Sequence, residues 1–166
     1  MSSTQQTHPT TIEADPALPT VRIVRDFDAP PDRVFRAWTE KELVERWLGP
    51  KDTPMDLTEW DVRTGGSYRY TASRDGEVIA SFFGSFHEVR PDERIVQTFT
   101  YEGFPDGVSL DIITFEDLGD GRTRLHAQSL CDSFEDRDMW LRESGMEIGV
   151  QQGYAALDRM LADGSL

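Results

Sequence analysis

Cysteine and histidine are scarce in this chain: Cys131 is the only cysteine, and His8, His87 and His126 are the only histidines among 166 residues. One cysteine excludes an intrachain disulfide framework and fits a reducing compartment. No His-x-His or Cys-x-x-Cys spacing occurs, so no metal site is expected. His126 and Cys131 stand five apart on one expected strand and so point to opposite faces, which argues against a Cys/His nucleophile pair. Neither a nucleophile elbow nor a phosphate-cradling loop is present, since Gly65 and Gly66 read as a hairpin turn. No catalytic constellation and no cofactor are expected.

Long apolar runs are also missing. No stretch approaches the ~18 to 20 apolar residues of a membrane span, and the N-terminus lacks the basic and apolar regions of a signal peptide. The expected location is the cytoplasm. Positive charge is in short supply, with 17 basic residues against 31 acidic ones and a net charge of −14. Such a surface repels phosphate backbones and anionic leaflets, which excludes nucleic acid and membranes as partners. It opposes nonspecific association but leaves room for a protein partner or a homodimer formed through an edge strand.

What is present divides into a tail and one domain. Residues 1–18 are rich in Ser, Thr, Gln and Pro, with too little aliphatic surface to offset their ordering entropy, and read as a flexible tail. Residues 19–166 read as a single domain. A first strand starts at Thr20, with Val21, Ile23 and Phe27 on one face. Pro30 and Pro31 then open a short helix carrying Val34, Phe35 and Trp38, and a capping box of Thr39 and Glu42 opens a second carrying Leu43, Val44, Trp47 and Leu48. Turn dipeptides such as Asp75-Gly76 and Asp120-Gly121 separate six further strand segments over 55–62, 67–73, 78–89, 94–102, 108–117 and 123–130. After a looser helical lead-in over 134–143, a capping box of Ser144 and Glu147 starts a long helix with Met146, Val150, Tyr154, Leu157, Met160 and Leu161 on its apolar side.

The expected fold class is α+β: a helix-grip fold, a curved seven-stranded antiparallel sheet wrapped around a long C-terminal helix, with two short helices after strand one. A curved sheet and a straight helix seldom touch along their whole length, and the gap is a natural ligand cavity.

Several motifs carry a resemblance. Phe27, Ala29, Pro30, Pro31, Val34, Phe35, Ala37, Trp38 and Thr39 form one; Trp47, Leu48, Gly49 and Pro50 another; Gly65, Gly66, Tyr68 and Arg69 a third. Gly84, Phe86, Glu88, Val89, Pro91, Glu93, Arg94 and Ile95 follow, then Thr114, Phe115 and Glu116, then Gly145, Glu147, Gly149, Val150, Leu157, Asp158, Met160 and Leu161. In this order they resemble the SRPBCC superfamily (START, Bet v-type helix-grip), in its branch similar to the activator of the ninety-kilodalton heat-shock protein ATPase. The resemblance implies the helix-grip fold and three kinds of activity on one scaffold: ligand carriage, cyclase or aromatase chemistry, and co-chaperone or stress-response interaction.

Strand and helix phase bring Trp60, Tyr70, Phe82, Phe99, Ile113, Gln128, Met146, Val150, Tyr154 and Leu157 toward the expected gap, as the wall for a small apolar or aromatic molecule, lipid-like or polyketide-like. For the enzymatic alternative, Tyr70, His126 or Tyr154 would transfer protons. A slip of one residue would invert any of the strand assignments.

Overall fold

The computed structural model describes residues 8–143, 145–164 and 166. In chain order the elements are β1 (Thr11–Ala14), β2 (Thr20–Phe27), α1 (Pro31–Thr39), α2 (Lys41–Trp47), β3 (Met55–Trp60), β4 (Ser67–Arg74), β5 (Glu77–Arg90), β6 (Arg94–Tyr101), β7 (Ser109–Gly119), β8 (Arg122–Cys131), α3 (Phe134–Glu143) and α4 (Met146–Ala162). The strands form one open antiparallel sheet of eight in the order β1-β2-β8-β7-β6-β5-β4-β3. The β3 to β8 segment is a meander, with successive strands paired as neighbours through connections of two to seven residues. Asp75 and Gly76, and again Asp120 and Gly121, take the positive φ that such hairpins need.

The sheet therefore has eight strands among the described residues rather than seven. The extra one, β1, lies inside the segment expected to be a tail and pairs Thr11 with Val24 through Ala14 with Val21. A distant side chain holds the turn that joins it to β2: Arg137 on α3 donates through Nη1 to the carbonyls of Asp15 at 2.5 Å and Leu18 at 3.0 Å. Residues 1–7 of the expected tail lie outside the described residues.

The expected capping boxes give way to other solutions. The Thr39 hydroxyl donates back to the Phe35 carbonyl at 2.9 Å, closing α1, and the N-cap of α2 is Glu40. The N-cap of α4 is Gly145, in the left-handed conformation at φ 68°; Ser144 lies outside the described residues. Pro31 does sit at the start of α1, where its missing N–H costs nothing.

The core is the sheet's inner face against α1, α2 and the second half of α4. Phe27, Leu125, Ile95 and Phe115 from strands pack with Val34, Trp47, Tyr154, Leu157 and Met160. Arg25 shares the inner face with Phe27 and is buried; its guanidinium pairs with Asp158 of α4 through Nη1 to Oδ1 at 2.7 Å and Nη2 to Oδ2 at 2.5 Å. Gly153 lets α4 lie directly on α2, since a Cβ there would stand 2.7 Å from the Trp47 carbonyl oxygen. Gly84 performs the same service inside the sheet. It lies opposite Tyr68, whose hydroxyl crosses the bare position to donate to the Thr98 carbonyl at 2.6 Å. Glycine at 84 and tyrosine at 68 are thus one structural requirement.

Candidate functional site

The second half of α4 is seated on the core, but its first half stands away from the sheet. Ile148 is exposed, and Met146, Gly149 and Val150 are only partly covered. The space beneath is a cavity of about 790 Å³, open to solvent on one side. Its floor is the inner face of β4 to β6, and its roof is formed by α3 and the start of α4. The loop after β6 supplies the rim, with Phe104 and Val108 exposed. A volume of this size suits a drug-sized molecule.

Aromatic side chains set its shape. Ring centroids run from Tyr70 to Phe82 at 5.0 Å, Phe82 to Phe99 at 5.4 Å and Phe99 to Trp140 at 5.1 Å, the first two pairs stacked. Residues two apart on a strand share a face, and neighbouring strands align these rings into one row. Trp38 and Trp47 close the opposite wall, 4.4 Å apart, and the Trp47 indole N–H is held by the Ala37 carbonyl at 2.8 Å.

A second, smaller cavity of about 170 Å³ continues from the first, sharing Phe99, Ser109, Cys131, Trp140 and Met146 with it. Asp111 and Ser129 lie on its floor. Register places Gln97, Asp111 and Ser129 directly opposite one another on β6, β7 and β8, all on the inner face. Ser109 donates to Asp111 Oδ1 at 3.1 Å. Asp111 is surrounded by protein yet keeps some accessible surface, because that surface faces the cavity rather than bulk water. Burial pushes its carboxyl well above the usual aspartate range, and hydrogen bonds from Ser129, Ser109 and Gln97 offset only part of the rise.

Burial likewise raises the phenols of Tyr70 and Tyr154, so both are hydrogen-bonding groups rather than bases near neutral pH. The Cys131 thiol is pushed up to about 11 by burial first and by Asp111 second. At the rim, Asp136 is raised chiefly by its hydrogen bond with Asp132. Among the described residues no group of three His, Cys, Asp or Glu side chains could hold a metal ion.

Of the wall expected from sequence, Tyr70, Phe82, Phe99, Met146, Val150 and Tyr154 line the main cavity. Four others lie elsewhere. Ile113 and Leu157 are packed in the core. Trp60 packs edge-on against Tyr68 and Phe86 and donates its indole N–H to the Thr39 carbonyl at 2.7 Å, pinning α1 to β3. Gln128 stands on the face of β8 opposite Leu125, Ala127 and Ser129, together with His126, which bonds Glu116 at 2.7 Å. The phase assigned to β8 was therefore off by one residue for these two. Asp111, Ser129, Trp140 and Phe104 belong to the cavities without having been expected there. Asp111 had a signal, since it alternates with Ile113 and Phe115.

Comparison with known proteins agrees with this architecture. The family model described as "Activator of Hsp90 ATPase homolog 1-like protein" matches residues 28–162. No curated protein matches the sequence. Among solved structures, a protein from Arthrobacter aurescens is 26% identical, with a TM-score of 0.82 over 92% of this chain and 91% of its own. Protein Ms6760 from Mycobacterium smegmatis is 25% identical, with a TM-score of 0.80 over 94% and 99%. Protein CV1439 from Chromobacterium violaceum is 28% identical, with a TM-score of 0.70 over 85% and 95%. No helix among the described residues is long and apolar enough to cross a membrane.

Proposed function

The chain belongs to the Activator of Hsp90 ATPase homolog 1-like family, and from that premise we propose that it is a helix-grip binding module for a small apolar or aromatic molecule, lipid-like or polyketide-like. The observation that carries this reading is the cavity of about 790 Å³ with a stacked aromatic row on its floor. A structure built only for its own stability would not leave so much aromatic and aliphatic surface facing an open, water-accessible space, since exposed apolar surface of that extent marks a binding site. The cyclase or aromatase alternative retains Tyr70 and Tyr154 at the wall but not His126, which lies on the other face of the sheet. The co-chaperone alternative is supported by the family description alone.

The direct test is native mass spectrometry of the purified protein with organic extraction of anything bound. It is joined to tryptophan-fluorescence titration, since Trp38, Trp47 and Trp140 face the cavity. Three-ring aromatics are expected to quench the emission with dissociation constants of roughly 1 to 100 μM, about −8 to −5.5 kcal/mol, and to raise the melting temperature as linkage demands. Val150→Trp, which fills the space under α4, is expected to abolish both effects in a folded protein. No co-purifying molecule, no response to any aromatic or lipid, and no difference in Val150→Trp would together overturn the reading.

A further inference from the structure

The two cavities differ in chemistry. The main one is aromatic and aliphatic over most of its wall, whereas the inner one ends on Asp111, Ser109 and Ser129. Every charged side chain lining either cavity among the described residues is an aspartate: Asp111, Asp132 and Asp136. Among the described residues no lysine, arginine or histidine lines them. A bound carboxylate, sulfate or phosphate would therefore leave water without gaining a counter-charge and would stand beside carboxyl groups, an arrangement that binding does not tolerate. The inner end is instead rich in acceptors. Asp111 has more lone-pair sites than its neighbours fill, and the Ser109 hydroxyl is already committed as a donor to it.

We propose that the inner cavity is the polar end of the ligand site, and that it selects an uncharged, flat aromatic ligand bearing a hydroxyl, which donates its O–H to Asp111, over the same scaffold bearing a carboxylate. This rests on the cavity reading above and adds the head-group chemistry to it. The geometry fits a flat ligand: Phe99 and Trp140 line both cavities, so a ring system stacked along the row from Tyr70 to Trp140 is led into the chamber where Asp111 lies. An ammonium head is disfavoured, because an ion pair needs an ionised partner and burial opposes ionisation of Asp111. The apolar walls add nothing for a second polar group at the outer end, so one hydroxyl on an otherwise apolar frame is the matching pattern.

The probes are 9-phenanthrol, 9-methoxyphenanthrene and phenanthrene-9-carboxylate, titrated against the full chain at pH 7.5 by fluorescence and thermal shift. The phenol is expected to bind about 10-fold tighter than the ether, which cannot donate, and about 100-fold or more tighter than the carboxylate. In Asp111→Leu, which removes the acceptor, the phenol is expected to lose about 10-fold in affinity while the ether is unchanged. A circular dichroism melt establishes that this variant is folded; if it is not, the wild-type series decides by itself. Equal binding of phenol and ether, tighter binding of the carboxylate, or an unchanged phenol-to-ether ratio in folded Asp111→Leu would overturn the polar-end assignment while leaving the cavity reading intact. No binding of any of the three would overturn this inference, and with no response to any other aromatic or lipid it would overturn the cavity reading too.

Discussion

Two glycines one turn apart on α4 should respond to the same substitution with opposite signs. Alanine is better than glycine inside a helix by about 1 kcal/mol, so intrinsic propensity favours both Gly149→Ala and Gly153→Ala equally. What each new methyl meets decides the outcome. At Gly149 the nearest atoms are Pro50 Cδ at 3.6 Å and Gly49 Cα at 3.9 Å, ordinary van der Waals separations that need no movement. The full propensity gain is expected, about 1 kcal/mol, or roughly 2 to 4 °C in melting temperature for a domain of this size. At Gly153 the methyl would stand 2.7 Å from the Trp47 carbonyl oxygen, which is backbone and cannot swing aside. Overpacking of this kind costs about 1 to 3 kcal/mol, leaving a net loss of up to about 2. Because Trp47 also lines the cavity, Gly153→Ala should weaken aromatic binding as well. Urea unfolding followed by far-ultraviolet circular dichroism measures the pair. If Gly153→Ala is as stable as Gly149→Ala, the close approach of α4 to α2 is not real and the packing argument fails.

Other substitutions test other joints. Gly84→Ala would overlap the Thr98 carbonyl oxygen and stand 2.6 Å from the Tyr68 hydroxyl, so it should cost about 3 kcal/mol or more and abolish folded expression at 37 °C; a normal chemical-denaturation midpoint would contradict it. Asp158→Asn leaves the buried Arg25 guanidinium without its carboxylate and should cost about 3 to 5 kcal/mol, while Arg25→Met with Asp158→Leu should recover most of that; a double variant as weak as the single would refute the account. Asp111 sets a pH dependence of its own. Its folded carboxyl holds its proton more tightly than the unfolded one, so its contribution to stability is complete below the unfolded value of about 3.9 and is lost as pH rises through the raised folded value. Asp111→Asn does not titrate. Its stability relative to wild type should therefore climb as pH rises above about 4 and level off once the folded carboxyl has ionised, by about 1.4 kcal/mol for each unit by which the carboxyl is raised. A constant difference across that range, measured by urea unfolding at several pH values, would show that burial does not perturb this group.

The sequence was most readable where physical contrast along the chain was strongest. Tyr68, Tyr70 and Ala72 alternate with polar residues, which fixes the phase of β4, and on β5 Gly84 and Phe86 alternate with Ser85 and His87, which selects Phe82 over the adjacent Phe83 for the inner face. On β8 the contrast fades after Leu125. His126 and Gln128 alternate with Ala127 and Ser129, which are small and nearly as polar, so nothing local distinguishes the face that turns inward. Pairing with β7 decides it, because β7 presents Asp111 and Ile113 opposite Ser129 and Ala127. Trp60 was misplaced for a related reason. A bulge between Leu57 and Glu59 shifts its register against β4, and its indole is claimed by the Thr39 carbonyl, neither of which periodicity reveals. The strand β1 is four residues long and its turn to β2 is held by an arginine more than 100 residues away, so its local composition truthfully reads as too polar to order itself.

The same contrast explains why a family fold can be read while its ligand site is not. Positions that hold the sheet together are constrained by strong, local signals: a glycine where a phenol must cross, a proline where a helix begins, an Asp-Gly pair where a hairpin reverses. Cavity residues are not under that rule, since an empty space needs no contact between its walls. A buried aspartate such as Asp111 breaks the apolar pattern of its strand without any compensating charge, a local inconsistency that folding alone would remove. The buried guanidinium of Arg25 is matched by the Asp158 carboxylate, and that of Arg137 reaches backbone carbonyls and Asp138, whereas Asp111 meets only neutral hydrogen-bond partners and opens onto a cavity, where a bound hydroxyl would add one more.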